Sequence, residues 1–137
     1  MKLQGFDIPD ELLYTKEHEW ARRQGPVVRV GITDYAAKTL NDVVYVTLPK
    51  VNESVLQFKT MGTVESIKAV SELYSPVSGT IVRVNSGLES HPELVNKSPY
   101  EDGWILEVKA PDFDSEQRGL LGAKAYASHL ETLLKSQ

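Results

Sequence analysis

Lys68 is the residue whose sequence surroundings point most clearly to chemistry. It lies near the middle of a short, alternating segment, residues 62–74, with Glu65 three residues before it and Glu72 four residues after it. Residues 75–79 follow, and their serine, proline and glycine content is typical of a turn. The pattern predicts a hairpin that presents one accessible ammonium group to a modifying enzyme. The alternative is an ordinary exposed surface lysine.

His18 and Glu19 form a second candidate, because histidine and glutamate can act as an acid–base pair. Neighbouring residues of a strand point to opposite faces, so these two side chains would not converge on one substrate. We therefore predict no catalytic residues. We expect Trp20 to lie in the core and one of the two polar residues to line a site.

Metal and thiol chemistry are not expected. The sequence contains no cysteine, which removes disulfides, cysteine-ligated zinc and cysteine nucleophiles. The histidines are widely spaced, at positions 18, 91 and 129, and form no metal-binding pattern. Redox or group-transfer chemistry would then need an attached group.

Composition limits the class of protein. A length of 137 residues predicts a single domain with a sizeable core. The net charge of −4 argues against a nucleic-acid partner. No apolar run approaches the roughly 18 residues that span a bilayer, and the amino terminus lacks the plan of a signal peptide. We expect a cytoplasmic protein with no membrane partner.

Several short strands with turns between them are predicted. Residues 14–21 read as a strand of mixed face, and a return strand follows in which Val28, Val30 and Ile32 lie on one side at period two. Thr33 is a suitable N-cap for a helix over residues 34–40, which Asn41 would end.

The second half of the chain continues this pattern. Residues 43–48 read as a buried strand, residues 55–58 as a short strand, and residues 88–103 as a loop. Apolar residues recur at three- and four-residue steps from Ala123 to Leu134, which predicts a carboxyl-terminal helix. We expect a lead-in over residues 1–13, a β core over 14–110 and a helical segment over 111–137. The fold class is mainly β, a compact barrel or sandwich with a short internal helix and a carboxyl-terminal helix.

Six segments in order carry a resemblance to a known family. They are YTKEHEW (14–20), VGITD (30–34), VESIKA (64–69), LYSPVSG (73–79), ELVN (93–96) and PYEDGW (99–104). Together they resemble the H protein of the glycine cleavage system, a lipoyl-carrier family. The resemblance covers residues 14 to about 134 and implies the small barrel-sandwich hybrid fold of lipoyl domains.

The resemblance implies that Lys68 carries lipoate in amide linkage, which would remove its charge and lengthen its side chain. In the family, the arm accepts an aminomethyl group when the P protein (glycine decarboxylase) decarboxylates glycine. The T protein (aminomethyltransferase) then receives this group, and the L protein (dihydrolipoamide dehydrogenase) reoxidises the arm. The partners implied are these three proteins and the lipoate-attaching enzymes. The chain itself would be a carrier and not an enzyme.

Glu65 and Gly79 match family positions that help lipoate-attaching enzymes recognise a carrier. A carboxylate could steer a cationic enzyme surface, and a glycine allows close backbone approach. Hairpin geometry alone is the alternative explanation for both residues.

The family also holds its loaded arm in a cleft that excludes water. The matching positions are Glu19, Ile32, Ala69 and Glu72, and Glu19 could pair with the protonated amine. Glu72 stands where aspartate is more usual, and Glu17 where many relatives have serine, which puts the geometry of the cleft in question.

Other functions remain open from the sequence. An H-like carrier could serve another pathway, such as lipoate relay or a heterodisulfide-reductase-like sulfur-oxidising system. A biotin carrier is disfavoured, because its lysine is usually flanked by methionines, whereas Ile67 and Ala69 flank Lys68. The sequence has no strong exposed apolar stripe, so we expect a monomer.

Overall fold

The computed structural model describes residues 1–136, and strands dominate this range. The strands are β1 (Lys2–Leu3), β2 (Phe6–Asp7), β3 (Leu13–Tyr14), β4 (Glu19–Gln24), β5 (Val27–Ile32), β6 (Val43–Thr47), β7 (Ser54–Val55), β8 (Thr60–Ser66), β9 (Val70–Tyr74), β10 (Gly79–Val84) and β11 (Leu106–Lys109). The helices are α1 (Asp34–Leu40), α2 (Gly87–Ser90), α3 (Leu94–Lys97), α4 (Phe113–Glu116) and α5 (Ala123–Lys135), with a 3-10 turn at Gln117–Gly119. The mainly β fold class with a short internal helix and a carboxyl-terminal helix is confirmed.

Two sheets form the centre of the described range. One has the strand order β3-β4-β5-β11-β10-β7, and the other has the order β6-β8-β9. Their neighbouring strands are antiparallel throughout. Side chains from both sheets share one hydrophobic core, which includes Val28, Val30, Val64, Leu73, Ile81 and Val108. Full burial of each such side chain contributes about 1.5–3 kcal/mol, so this shared core holds the sheets together.

A second hydrophobic cluster joins the two ends of the chain. Tyr126 and Leu130 of α5 are fully buried in it, together with Tyr14 and Trp20. The Tyr14 and Tyr126 rings stack with their centroids 4.6 Å apart. The core position of Trp20 and the docking stripe of the carboxyl-terminal helix are thereby confirmed. Residues 1–13, expected as a lead-in, include the β1–β2 hairpin and contribute buried Ile8 and Leu12 to the same cluster.

Helix α1 begins where the sequence predicts. The Thr33 hydroxyl accepts a hydrogen bond from the Ala36 backbone N–H, so it caps the helix. Asn41 ends the helix with a positive φ of 64°. The N-cap and the stop residue are confirmed.

Three expectations about individual elements are wrong. The strand over residues 43–48 was expected to be buried, but β6 lies at a sheet edge and Tyr45 is 58% exposed. The short strand over 55–58 extends only from Ser54 to Val55 and does not reach Phe58. Residues 88–103 are not all loop, because two four-residue helices, α2 and α3, bury Leu88 and Val95.

The expected strand over residues 14–21 is interrupted. β3 ends at Tyr14, a turn covers residues 15–18, and β4 begins at Glu19. His18 has a positive φ of 76°, which is incompatible with a continuous strand. His18 therefore belongs to the turn and only Glu19 to the strand.

Candidate functional site

Lys68 lies at the tip of the hairpin between β8 and β9. The Ser66 N–H donates to the Ala69 carbonyl at 2.8 Å and closes the turn. The Ser66 hydroxyl oxygen accepts from the Lys68 and Ala69 backbone N–H groups at 3.2 and 3.1 Å. Among residues 1–136, the exposed Lys68 ammonium makes no hydrogen bond and no ion pair. The hairpin expected from the sequence is therefore present, and its tip presents a free amine.

The base of this turn is tied to the rest of the fold. The Ile67 N–H donates to the Asp42 carbonyl at 3.1 Å. Asn96 accepts from the Val43 N–H at 2.9 Å and donates to the Asn41 carbonyl at 2.6 Å. These contacts fix β6 beside the hairpin and thus fix the direction in which the tip points.

The sequence interpretation missed the roles of Ser66 and Asn96. A serine two residues before the lysine is a signal for a side-chain-stabilised turn and could have been used. Asn96 lies far from the hairpin in the sequence, so no local pattern could have revealed its contact with Val43.

Glu65 and Glu72 lie on the same outer face of the hairpin. Glu65 pairs with Val70 across the two strands, and Thr63 pairs with Glu72, which places both carboxylates on one side at period two. Both residues are exposed. Glu72 also borders a cavity of about 280 Å³ that Glu53 lines as well.

Gly79 lies in the other sheet, opposite Val55. A β-carbon at this position would collide with the Lys109 carbonyl oxygen and lie 2.9 Å from Cγ1 of Val108. Close packing of β10 on β11 is therefore a sufficient structural reason for this glycine. Recognition of Gly79 by an attaching enzyme stays a prediction.

Glu19 is a buried carboxyl group, only 1% exposed. One of its carboxylate oxygens accepts from the Thr15 hydroxyl, and the other accepts from the Tyr74 backbone N–H at 3.1 Å. Burial raises the pKa of Glu19 to about 7, and the two hydrogen bonds only partly offset that rise. The group thus links β4 to the last residue of β9 and titrates near neutral pH.

The four positions predicted to form an arm cleft fall into two pairs. Glu19 and Ile32 face each other in the register of β4 and β5, and both are buried. Ala69 and Glu72 lie on the hairpin and are exposed. A cleft that includes all four residues stays a prediction.

A cavity of about 390 Å³ lies next to Glu19. Its lining residues are Thr15, Lys16, Glu17, Phe58, Tyr74 and Gly119. Two of these, Thr15 and Tyr74, are the hydrogen-bond partners of Glu19. The sequence interpretation missed Phe58 and Gly119, because they reach this wall from segments about 60 residues apart.

His18 and Glu19 do not act on a common point. His18 Nδ1 lies 2.8 Å from the Tyr126 hydroxyl, which is also 2.8 Å from the Thr33 hydroxyl. Burial and the neighbouring His129 lower the pKa of His18 to about 4. His18 is therefore a neutral part of the packing between the turn and α5, whereas Glu19 bonds to Thr15 and Tyr74.

Two kinds of feature are absent from residues 1–136: a cluster of metal ligands and a membrane-spanning helix. In that range no group of three or more histidine, aspartate and glutamate side chains is placed to hold a metal ion. Of the helices in the same range, none is both long and apolar enough to cross a membrane.

A family model described as "Glycine cleavage H-protein" matches residues 12–133. The chain belongs to this family. The H protein of Geobacillus kaustophilus is 54% identical over 121 residues, which are 88% of this chain and 94% of that protein. The glycine cleavage system H protein of Rubrobacter xylanophilus is 51% identical over 125 residues, which are 91% of this chain and 96% of that protein.

The fold of this chain also matches that of an H protein whose structure is known. The crystal structure of a glycine cleavage system H protein from Mycobacterium marinum superposes with a TM-score of 0.81 at 37% identity. The match covers 90% of this chain and 99% of that one. The resemblance inferred from the six sequence segments is confirmed.

Proposed function

We propose that this chain is the lipoyl carrier of a glycine cleavage system, with lipoate attached through an amide bond to Lys68. The observation that carries the proposal is the free ammonium group of Lys68 at the hairpin tip, in a chain that belongs to the H-protein family. The relatives that match this chain over nearly their whole length are glycine cleavage system H proteins.

The surroundings of Lys68 fit an acylated lysine. Amide formation removes the positive charge, and no carboxylate in the described residues depends on that charge for an ion pair. The turn around Lys68 is held by backbone groups and by the Ser66 hydroxyl, which acylation of Nζ leaves in place. The chain can therefore accept the group without rearrangement.

When bound, lipoate supplies a dithiolane that undergoes redox chemistry and carries the aminomethyl group derived from glycine. The chain's own residues hold and orient this group, and we propose that they catalyse none of the steps. His18 and Glu19, the pair most suited to catalysis, are engaged in separate hydrogen bonds. The partners we propose are the P, T and L proteins and the lipoate-attaching enzymes, which all need access to the same exposed tip.

Glu65 and Gly79 are proposed to contribute to recognition by the attaching enzymes. Glu65 is exposed on the same hairpin as Lys68, so it is available to a cationic surface. Gly79 lies in β10 and is proposed to act indirectly, by keeping that strand closely packed.

Glu19, Ile32, Ala69 and Glu72 are proposed to border the path of the loaded arm. Ala69 and Glu72 follow Lys68 along the hairpin, and Glu19 bonds to the end of the same strand through Tyr74. In this arrangement two exposed residues would lie near the start of the path and two buried residues beneath its end.

The test of this function is a loading assay. Protein lipoylated on Lys68 is incubated with a P protein and glycine, and its mass is measured before and after. We expect addition of one aminomethyl group, which T protein and tetrahydrofolate then remove. A lipoylated protein that is never loaded would contradict the glycine cleavage role and point to a carrier for another pathway.

A further inference from the structure

Three arginines lie in one row across the six-stranded sheet. Arg22 of β4 is opposite Arg29 of β5, and Arg29 is opposite Glu107 of β11. Arg83 of β10 is opposite Glu107 on its other side. The row of Arg22, Arg29, Glu107 and Arg83, called the arginine face, crosses four strands, or about 15 Å at the usual strand spacing. It is therefore wider than a single small anion.

The arginine face points away from the sheet that carries Lys68. Val28 and Val30 flank Arg29 in β5, and both are fully buried in the core that the two sheets share. Because successive residues of a strand point to opposite sides, the Arg29 side chain points outward from that core. A partner bound to the arginine face therefore leaves Lys68 and its hairpin accessible.

Aromatic rings hold the three guanidinium groups in place. The Arg29 and Arg83 guanidinium carbons lie 4.4 and 5.0 Å from the centroid of the Trp104 ring. The Arg22 guanidinium carbon lies 5.4 Å from the centroid of the Trp20 ring. Side chains held in this way lose less conformational freedom on binding, and planar guanidinium groups suit bidentate contacts with carboxylates.

The carboxylates beside these arginines neutralise only part of their charge. Glu107 accepts a hydrogen bond from Arg29 at 2.9 Å and lies 3.7 Å from Arg83. Arg22 lies 3.4 Å from the exposed Glu101. Two carboxylates thus pair with three arginines, in a chain whose net charge is −4. Arg22 and Arg29 are directly opposite each other, which is unfavourable for like charges unless an acidic group binds beside them.

We propose that the arginine face binds a carboxylate-rich surface of an enzyme that acts on the lipoyl arm. This inference rests on the proposed function and adds a docking surface on the sheet that does not carry the hairpin. Charge complementarity selects an acidic partner, and the length of the row selects a protein surface over a single anion. A second copy of this chain in a two-fold contact does not fit, because two arginine faces would repel each other.

The double variant Arg22→Gln/Arg83→Gln tests this docking surface by removing the two arginines at the ends of the row. Arg29 remains and still pairs with the buried Glu107 at 2.9 Å. No buried carboxylate is left without a partner, so we expect the fold to be retained. Lipoylation of the variant to the same extent as the parent checks this expectation.

The matched control is the double variant Arg23→Gln/Lys124→Gln, which removes the same charge from other surfaces. Arg23 follows Arg22 in β4 and therefore points to the opposite side of the sheet. Lys124 is exposed on α5. The control separates the effect of the arginine face from the effect of net charge.

The KM of each lipoylated protein is measured with the P, T and L proteins of the same organism, at low salt and at about 0.5 M salt. For at least one enzyme, we expect Arg22→Gln/Arg83→Gln to raise KM roughly threefold to tenfold at low salt and to leave kcat unchanged. High salt should abolish the difference, because it screens exposed charges. The unlipoylated variant should also inhibit that enzyme more weakly than the unlipoylated parent, since docking does not need the arm.

An unchanged KM and an unchanged inhibition constant with all three enzymes would overturn the inference. An equal change in the control would also overturn it, because net charge alone would then explain the result. The L protein assay needs no glycine, so an effect on its KM would stand even if P protein failed to load the carrier, a failure that would remove only the glycine cleavage role. Normal loading without any effect of the arginines on KM would remove only the docking surface.

Discussion

The buried carboxyl group of Glu19 should make the stability of the protein depend on pH. Its pKa is about 7 in the folded protein, compared with 4.5 for an ordinary glutamate as in the unfolded chain, because burial disfavours the charged form. The protonated acid can still satisfy both partners, since one oxygen accepts from the Tyr74 N–H while the other remains bonded to the Thr15 hydroxyl. The folded protein therefore favours the neutral form of Glu19, and ionisation of this carboxyl group lowers the stability.

The sign and size of the effect follow from linkage. Because the folded-state pKa is the higher one, this stability is fully present below pH 4.5 and is lost as the pH rises through about 7. The pKa shift of Glu19 contributes about 3 kcal/mol to the free energy of unfolding at low pH. About 2.5 kcal/mol of this contribution is lost between pH 5 and pH 8. His18 acts in the opposite direction, because its lowered pKa contributes stability that is lost as the pH falls from 6.5 through about 4.

Comparison of the parent protein with Glu19→Gln isolates the contribution of Glu19 to the pH dependence of stability. Glutamine resembles the neutral acid, and the contribution of His18 is common to both proteins and cancels in the difference. Urea unfolding at several pH values should show Glu19→Gln gaining about 2.5 kcal/mol relative to the parent between pH 5 and pH 8. The control is Glu17→Gln, which removes the like charge beside Glu19 and leaves its burial unchanged. If the unfolding free energies of the parent and Glu19→Gln changed with pH in the same way, the assignment of a buried carboxyl group with a pKa near 7 would be refuted.

Three further substitutions test the hairpin and the sheet beside it. Lys68→Arg should abolish lipoylation in an intact-mass assay and change the unfolding free energy by less than about 0.5 kcal/mol, because the side chain is exposed and unpaired. Ser66→Ala removes the acceptor of two backbone N–H groups, so urea unfolding should show a loss of about 1–2 kcal/mol and the lipoylation rate should fall; an unchanged rate would show that the turn is held without this hydroxyl. Gly79→Ala places a β-carbon against the Lys109 carbonyl and should cost about 1–3 kcal/mol. If Gly79→Ala instead slows lipoylation at unchanged stability, direct recognition is the better explanation.

Local signals account for the parts of the fold that the sequence predicted correctly. Period-two alternation predicts strands such as β5, and the spacing of apolar residues predicts α5. The hydroxyl of Thr33 acts within three residues of its own position, so its capping role is visible in the sequence. Lys68 was located by the same kind of local pattern.

Tertiary neighbours account for the parts that the sequence missed. Residues 43–48 have the composition of a buried strand, but only the sheet order places β6 at an edge. Helices α2 and α3 have four residues each, too few for a periodic pattern. Glu19 bonds to Tyr74 across 55 residues, so its burial and raised pKa could not be read from the sequence.

Attachment of lipoate to Lys68 can be measured directly from the mass and the modification site of the protein after incubation with lipoate, ATP and a lipoate ligase. We predict a gain of one lipoyl group, located by peptide mapping on Lys68 and absent from Lys68→Arg. No gain in mass, or a gain that persists in Lys68→Arg, would contradict it.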